Sequence, residues 1–445
     1  MVPPSGGPRD TLPPVLLSAT PHDSTLNFKG NRIVLTFDEF VDLGDAQNNI
    51  LVNPTFEHNP VIGTKLRTVT IRIRDSLTPN TTYTFNFGNS LKDFNEGNIL
   101  RNFTYVMSTG PRIDSMHYSG KVFLAETGAV DTTLLVVLQK DLTDSAVMLK
   151  RPQYVTRVDN KGNFQFNNLP AGTFAIYALG DAGLSKKYQN KSSLFAFADK
   201  PVVIGSSAPD TLYAYREIIR ITPGSGSTGT NAAATAKSTG TEKRLRFTTN
   251  AANSQVDLLK DLVITFPSAL KSFDSSKINL TTDTSFNKVN YSASLDSTRK
   301  ELTIKTTWLE NTRYNLVLQK DFAQDSAGRQ LLKADTVLLI TKKRSDYSNS
   351  VRITLKNLDT ARNPVLQFIQ NNVVVFSTRL HSGVFTQELF SPGDYDLRIL
   401  YDRNKNGKWD TGKFFGVRKQ PEIAVPIEKK ISIKPDFDNE IDIVL

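Results

Sequence analysis

Residues 162–188 read GNFQFNNLPAGTFAIYALGDAGLSKKY, and residues 383–409 read GVFTQELFSPGDYDLRILYDRNKNGKW. The two passages align without a gap, so that Asp181 lies over Asp402. A passage repeated at so long a period is typical of an array of modules. Within each copy, alternating apolar residues on both sides of a glycine-containing turn predict two β-strands. The repeat therefore predicts an all-β protein built as a tandem array of β-sandwich modules.

The sequence upstream of each copy is also duplicated. Residues 15–112 and 244–344 each carry alternating strand candidates, and each places a polar turn before a tyrosine-containing strand. That turn reads LTPNTTY at residues 77–83 and LENTRY at residues 309–314. The matching strand candidates are Arg32–Phe37 with Asp261–Phe266, and Thr68–Ile73 with Glu301–Lys305. Both segments are predicted to be β-sandwiches.

The remaining segments complete the predicted domain organisation. Residues 1–14 are rich in proline and glycine, which predicts an extended tether. Residues 113–222 and 345–445 form the second module type, a smaller β-sandwich with a hairpin into the Gly-x-Phe strand. Residues 223–243 carry small and polar side chains with nothing to bury, which predicts a flexible linker.

Composition narrows the class of protein. The chain has 445 residues, 39% of them hydrophobic, so each module can bury a core of its own. It has no cysteine, which excludes disulfides, thiolate zinc sites and cysteine nucleophiles in this sequence. The net charge is +10, but the basic residues are scattered and no nucleic-acid recognition motif accompanies them. We interpret the charge as a solvated basic surface, the alternative being attraction to an anionic membrane face or an acidic partner.

One loop resembles the start of a calcium site. Residues 402–410 place oxygen-bearing side chains at alternate positions with a glycine at the sixth. The predicted ligands are the side chains of Asp402, Asn404 and Asn406, the backbone carbonyl of Lys408, and Asp410 directly or through water. The twelfth position is Lys413, where an EF-hand has a bidentate Glu, so any binding is expected to be weak. The alternative is an Asx-rich turn held by its own side-chain hydrogen bonds.

The aromatic residues Tyr188, Trp308 and Trp409 give a second candidate site. Exposed aromatic rings stack on sugars or anchor a protein partner, which makes Trp409 and Tyr188 candidate binding residues. The alternative is that each ring packs over its loop and closes the module.

Catalytic motifs are absent from the sequence. The histidines, His22, His58, His117 and His381, lie far apart, and neither a G-x-S-x-G elbow nor a P-loop occurs. Asp93 and Glu96 could form a carboxylate pair, but an exposed polar loop is the simpler interpretation. The prediction is a protein that is not an enzyme, has no catalytic residues and requires no cofactor, with calcium the one candidate ligand.

The motifs together resemble a known family. The pattern Gly-x-Phe-x-Phe-x-x-Leu-Pro-x-Gly is similar to that of prealbumin-like or carboxypeptidase-regulatory-like modules. The sandwich with the LTPNTTYTF turn resembles the bacterial Ig-like (SbsA-type) domain of surface-layer proteins. With VPPSGGPRDTLPP ahead of them, the modules resemble the Ig-like-domain lipoproteins of Bacteroidetes. In that family a lipidated cysteine precedes the proline-rich stretch, so the resemblance implies a lipid-anchored protein of the outer membrane, at the cell surface or on the periplasmic face.

Three functions follow as hypotheses. The first is a non-catalytic scaffold or binding lipoprotein that serves as an accessory subunit of an outer-membrane assembly, secretion or transport complex. Its partners would be envelope proteins, an integral β-barrel among them, and not nucleic acid. The second is a surface adhesin or glycan-binding protein, which predicts an exposed aromatic row that includes Trp409. The third is an enzyme accessory or unrecognised hydrolase, which predicts a concave site with clustered acids or histidines.

Overall fold

A computed structural model describes residues 10–180, 183, 185–217, 244–282 and 286–445. The chain divides into two compact units. Unit 1 consists of Met1–Ser225 and Arg398–Pro426, and unit 2 consists of Gly226–Leu397 and Ile427–Leu445. The predicted linker and residues 1–9 of the predicted tether lie outside the described residues.

The fold class is all-β, as predicted, and unit 1 opens with the first sandwich. Its strands are β1 (Leu16–Thr20), β2 (Arg32–Phe37), β3 (Val41–Leu43), β4 (Leu51–Asn53), β5 (Val61–Lys65), β6 (Thr68–Arg72), β7 (Thr82–Asn86), β8 (Leu91–Asp93) and β9 (Thr104–Ser108), with a short helix α1 (Ala46–Asn49). They form sheets in the orders β1-β2-β6-β5, β4-β7-β9 and β3-β8. Period-2 alternation places Ile33, Leu35 and Phe37 of β2 in the core with no exposed surface.

The second module of unit 1 follows directly. Its elements are β10 (Met116–Leu124), β11 (Leu135–Gln139), α2 (Ala146–Leu149), β12 (Tyr154–Arg157), β13 (Asn163–Leu169), β14 (Gly172–Leu179), β15 (Phe195–Phe197), β16 (Val202–Ile204) and β17 (Asp210–Ala214). One sheet has the order β13-β10-β17, and the other the order β12-β11-β14-β15 with β16 also paired to β14. Their facing sides enclose one apolar core that includes Val122, Phe164 and Ile176.

The rest of the chain repeats both module types. The second sandwich contains β18 (Thr248–Thr249), β19 (Gln255–Val256), β20 (Leu262–Thr265), β21 (Leu270–Phe273), β22 (Ile278–Thr282), β23 (Asn287–Lys288), β24 (Ser292–Leu295), β25 (Glu301–Lys305), β26 (Arg313–Leu318), β27 (Ala323–Asp325) and β28 (Asp335–Thr341), with 3-10 turns at Ala252–Ser254 and Ser275–Lys277. The last module contains β29 (Ser348–Lys356), β30 (Pro364–Gln370), β31 (Val373–Arg379), β32 (Val384–Phe390), β33 (Gly393–Tyr401), β34 (Ile423–Ile433) and β35 (Asp438–Val444), with 3-10 turns at Arg344–Asp346 and Thr360–Arg362.

Sheet topology shows that the sequence repeat is also a structural repeat. Strand β10 pairs antiparallel with β13 and parallel with β17, and β29 pairs in the same two ways with β32 and β35. The order β12-β11-β14-β15 likewise has its counterpart in β31-β30-β33-β34. The two Gly-x-Phe passages therefore occupy equivalent strands.

The duplicated turn of the two sandwiches is held by the same hydrogen bond in both copies. The hydroxyl of Tyr83 accepts a hydrogen bond from Thr78 N at 3.0 Å, and that of Tyr314 accepts one from Leu309 N at 3.0 Å. Both tyrosine rings are buried, so each ties its turn to the core of its own sandwich.

A buried aspartate closes the turn after β8 in the first sandwich and the turn after β27 in the second. Asp93 is 1% exposed, and its carboxylate accepts hydrogen bonds from the backbone N–H groups of Glu96, Gly97 and Asn98 at 2.6–2.8 Å. Burial by itself would raise the pKa of Asp93, but these amide donors outweigh it and hold the pKa below its ordinary value. The sequence suggested an exposed loop here, whereas the carboxylate lies inside because it satisfies three backbone donors.

In the second sandwich, Asp325 closes the equivalent turn in the same way. This carboxylate is 2% exposed and accepts hydrogen bonds from Ala327 N, Arg329 N and Arg329 Nε. Gly328 has φ +78° and Gly97 has φ +80°, which a side chain would strain. The turn chemistry has therefore been kept although the sequences differ.

No helix in the described ranges is long and apolar enough to cross a bilayer.

The turn at Asp93 predicts a pH-dependent contribution to stability. Because the folded pKa is depressed, the contribution is present above the unfolded pKa of about 3.9 and is lost as pH falls through the folded pKa. We expect Asp93→Asn to lower the free energy of unfolding by about 1.5–3 kcal/mol at pH 7. The difference from the parent protein should shrink steadily below about pH 4.

Urea unfolding in a Trp308→Phe background measures this, because Trp409 of unit 1 is then the sole tryptophan. Glu57→Gln, a change at an exposed acid of the same sandwich, is the matched control. A pH-independent difference for Asp93→Asn would contradict the assignment.

Candidate functional site

The predicted calcium loop follows β33, within the part of unit 1 formed by Arg398–Pro426. Its first carboxylate, Asp402, is buried with no exposed surface. Asp402 Oδ2 accepts a hydrogen bond from Gly407 N at 2.6 Å, and Oδ1 accepts one from Asn406 N at 3.2 Å. Gly407 has φ +77°, the left-handed conformation that favours glycine. Asp402 therefore closes the loop on its own backbone.

The predicted ligand side chains are brought together, and they bind one another. Asp410 Oδ2 accepts hydrogen bonds from Asn404 Nδ2 at 2.5 Å and from Asn406 Nδ2 at 2.8 Å. Asn406 Oδ1 accepts one from Lys408 N at 2.7 Å. These are the contacts of an Asx-rich turn. Nowhere in the described residues do three or more His, Cys, Asp or Glu side chains come together in a way that could hold a metal. Calcium binding at this loop stays a prediction.

A residue that sequence reasoning missed, Glu422, holds the two ends of the loop together. Its side chain is 1% exposed. Its Oε1 accepts a hydrogen bond from Arg403 N at 2.8 Å, and its Oε2 accepts one from Asp410 N at 3.1 Å. Its backbone carbonyl accepts a hydrogen bond from Trp409 Nε1 at 2.7 Å. Glu422 lies outside the loop motif, so no local spacing pointed to it.

The two predicted binding aromatics meet in one cluster. Trp409 is half-buried and packs beside the buried residues of this cluster, with its N–H already bonded. Tyr188 is 4% exposed, with its ring centroid 4.4 Å from that of Phe195. Burial raises the pKa of Tyr188 to about 12. Both rings are used in packing, and Tyr188 does not face solvent where a ligand would need it.

The third aromatic candidate, Trp308, belongs to the core of the second sandwich. It is 8% exposed and packs edge-on against Tyr314, with the ring centroids 5.0 Å apart. Its place in the core leaves it unable to stack on a ligand at the surface.

Phe414 lies inside the aromatic cluster and is 1% exposed. Its ring centroid lies 5.0 Å from those of Phe195 and Phe197 and 5.6 Å from that of Tyr177. The guanidinium of Arg418 lies over the outer face of Phe414 at 4.9 Å from the centroid. Phe414 therefore anchors residues 398–426 to the second module of unit 1.

Polar contacts fix the same segment at several further points. Gln420 Nε2 donates hydrogen bonds to Phe197 O at 3.0 Å and to Asp199 Oδ1 at 2.8 Å. Thr411 Oγ1 donates to Arg216 O at 2.6 Å. An ion pair joins Arg418 to Asp144. The segment is thus a built part of unit 1 and carries the calcium-like loop on it.

Chemically, the arrangement is a packed and hydrogen-bonded support. Its carboxylates accept backbone N–H donors, and its aromatic rings contact one another. Asp181 is the residue of the first repeat that aligns with Asp402. It lies outside the described residues, so the two loops cannot be compared at this position.

Comparison with known proteins identifies one part of the chain. The model of the bacterial Ig-like domain family matches residues 10–109. This confirms the predicted resemblance of the first sandwich to bacterial Ig-like domains. No curated protein matches the chain in sequence.

Solved structures that are similar to the chain include three bacterial proteins. The N-terminal part of the bacterial S-layer protein SbsC is 19% identical over 46% of this chain, with a TM-score of 0.17, and the match spans 44% of that protein's length. The major pilin subunit BcpA of Bacillus cereus is 11% identical over 74% of this chain and 99% of its own, with a TM-score of 0.16. The TIE protein of Bacillus anthracis is 12% identical over 99% of this chain and 75% of its own, with a TM-score of 0.16.

The loop geometry yields a sharp test of calcium binding. Calcium would have to displace the amide groups of Asn404 and Asn406 from Asp410, so we expect dissociation constants no tighter than about 10⁻⁴–10⁻³ M. Trp409 fluorescence in the Trp308→Phe background should then change with millimolar calcium and not with equal magnesium. Asp410→Asn should abolish the response. If calcium leaves the Trp409 fluorescence of the Trp308→Phe protein unchanged, the loop is a purely structural turn.

Phe414 predicts a large and local stability effect. Phe414→Ala leaves a cavity between three aromatic rings, so we expect unit 1 to lose about 3–5 kcal/mol of unfolding free energy. Urea unfolding followed by Trp409 fluorescence measures this loss. Phe94→Ala is the matched control, because Phe94 is 68% exposed in the same unit. Equal unfolding midpoints for the two variants would show that Phe414 is not the anchor.

Proposed function

We propose that this protein is a non-catalytic scaffold or binding protein of the bacterial envelope, serving as an accessory subunit of an outer-membrane complex. The match of residues 10–109 to a bacterial Ig-like domain supports a role in the envelope. The resemblance of the N-terminal stretch to that of Bacteroidetes lipoproteins supports a lipid anchor in the outer membrane.

The observation that carries the proposal is the set of hydrogen bonds that the buried carboxylates accept. In the described residues the buried acids are Asp93, Asp325, Asp402 and Glu422. Asp93, Asp325 and Asp402 each accept hydrogen bonds from backbone N–H groups of their own turn or loop. Glu422 accepts them from the two ends of the loop at residues 402–410. A general acid or base has to face a substrate, whereas these groups face the backbone that they hold in place. These buried carboxylates thus support loop shape, as a binding scaffold requires.

The duplicated construction favours the same function. Two Ig-like sandwiches with the same tyrosine–turn hydrogen bond alternate with two modules of the same sheet order. Repeated modules present similar surfaces more than once, which raises effective concentration at a partner that has matching sites.

Affinity purification tests the proposal. The full-length protein, tagged at its C-terminus, would be isolated in mild detergent from the envelope of its native bacterium and its companions identified by mass spectrometry. We expect an integral outer-membrane protein in stoichiometric yield. An unrelated tagged lipoprotein of the same membrane is the control for bystander capture. Recovery of the protein alone would overturn the role in a stable complex, and binding on a glycan array would then support an adhesin instead.

A further inference from the structure

Unit 1 contains a cavity that none of the motifs predicted. Its volume is about 310 Å³, which lies at the small end of the range for ligand pockets. One wall comes from the first sandwich and the other from the loop that carries Lys186. The apolar lining residues are Ala46, Ile50, Val52, Phe56, Pro60, Val61 and Ile62, and the polar ones are Thr55, Asn59, Arg74 and Lys186. The charged groups on this lining are therefore both cationic.

Lys186 is held in place by its neighbours. Its φ is +54°, an uncommon conformation for a residue with a side chain. On its C-terminal side, Lys187 Nζ donates a hydrogen bond to Leu149 O at 2.7 Å, and Tyr188 N donates one to Val147 O at 3.0 Å. The loop is thus fixed where it brings Lys186 to the cavity.

No ion pair joins Lys186 or Arg74 to a carboxylate in the described parts of the chain. Burial, followed by the positive charges of Arg151 and Arg157, lowers the pKa of Lys186 to about 8. A half-buried ammonium without a counter-ion is costly, and an anion in the cavity would offset that cost.

Two further arginines add to the positive field. Arg157 Nε is buried without a hydrogen-bond partner in the described structure, and Arg157 Nη2 donates to the carbonyl of Asn48. Burial lowers the pKa of Arg157, and the negative charge of Asp45 partly opposes this. Arg151 Nη1 donates hydrogen bonds to Phe56 O and Asn59 Oδ1, both at 3.0 Å, which places its charge at the cavity rim. Of the nearby acids, Asp75 is engaged by His58 at 2.7 Å.

We propose that this cavity binds a small organic anion, a carboxylate or phosphate group joined to a compact apolar body. The anionic group would lie between Lys186 and Arg74, the two cationic residues of the lining. The apolar body would cover Val61, which is 43% exposed, and the half-buried Pro60 and Ile62 beside it. The competing explanation is that the stem of Lys186 covers the apolar wall while its ammonium reaches water, in which case no anion is needed.

Calorimetric titration of the full-length protein separates these explanations. The probes are 4-phenylbutyrate, phenyl phosphate and the neutral 4-phenylbutanamide. We expect the anionic probes to bind at least tenfold more tightly than the amide. Lys186→Met and Arg74→Met should each weaken anion binding at least tenfold. Lys200→Met, at an exposed lysine of the same unit, should leave it unchanged.

A vesicle arm identifies the source of the anion. Co-sedimentation with phosphatidylcholine vesicles, with and without phosphatidic acid, would support a lipid headgroup if only the acidic vesicles retain the protein and Lys186→Met releases it. Binding of soluble probes alone would support a free small molecule.

Two outcomes would overturn the proposal: no anion binding by the parent protein, or equal binding by the Lys186→Met variant. Unchanged urea midpoints for the variants, read from Trp409, confirm that any loss arises at the cavity.

Discussion

The arrangement of unit 1 depends on the packing around one ring, that of Phe195. Its centroid lies 4.4 Å from that of Tyr188, 5.0 Å from that of Phe414 and 5.7 Å from that of Tyr177. Aromatic pairs of this kind contribute about 0.5–1.5 kcal/mol each beyond the area that they bury. Because Phe414 comes from a segment more than two hundred residues away in sequence, this cluster holds the segment in unit 1. The same packing therefore fixes the positions of the calcium-like loop, Trp409 and Glu422, which all belong to that segment.

Charge is used in two opposite ways in this protein. The buried carboxylates, such as Asp93 and Asp402, are surrounded by backbone N–H donors and so shape the loops in which they lie. Lys186 has no such partner among the described groups and lies beside an open cavity with Arg74. A satisfied buried charge supports structure, whereas an unsatisfied one indicates a ligand. This contrast links the scaffold function to the proposed anion site.

Strand positions could be predicted well from the sequence because their signals are local. The alternation in RIVLTF places Ile33, Leu35 and Phe37 on one face, and the strand occupies Arg32–Phe37 as predicted. The hairpin glycines and the LTPNTTY turn are also short-range signals, since the geometry of a turn depends on residues within a few positions. The loop at Asp402–Asp410 was found for the same reason, and its hydrogen bonds fall on the residues that the spacing selected.

The sequence by itself determined the all-β class, the two repeated module types and the turn that Asp402 closes. Tertiary structure alone decided that Glu422 joins the two ends of the loop, that Tyr188 and Trp409 pack in one cluster, and that Lys186 faces the apolar wall of another module. Sequence patterns report periodicity and turn chemistry, which act over a few residues. Contacts between distant residues depend on which side chains the folded backbone brings together, and a single sequence carries no local sign of that choice.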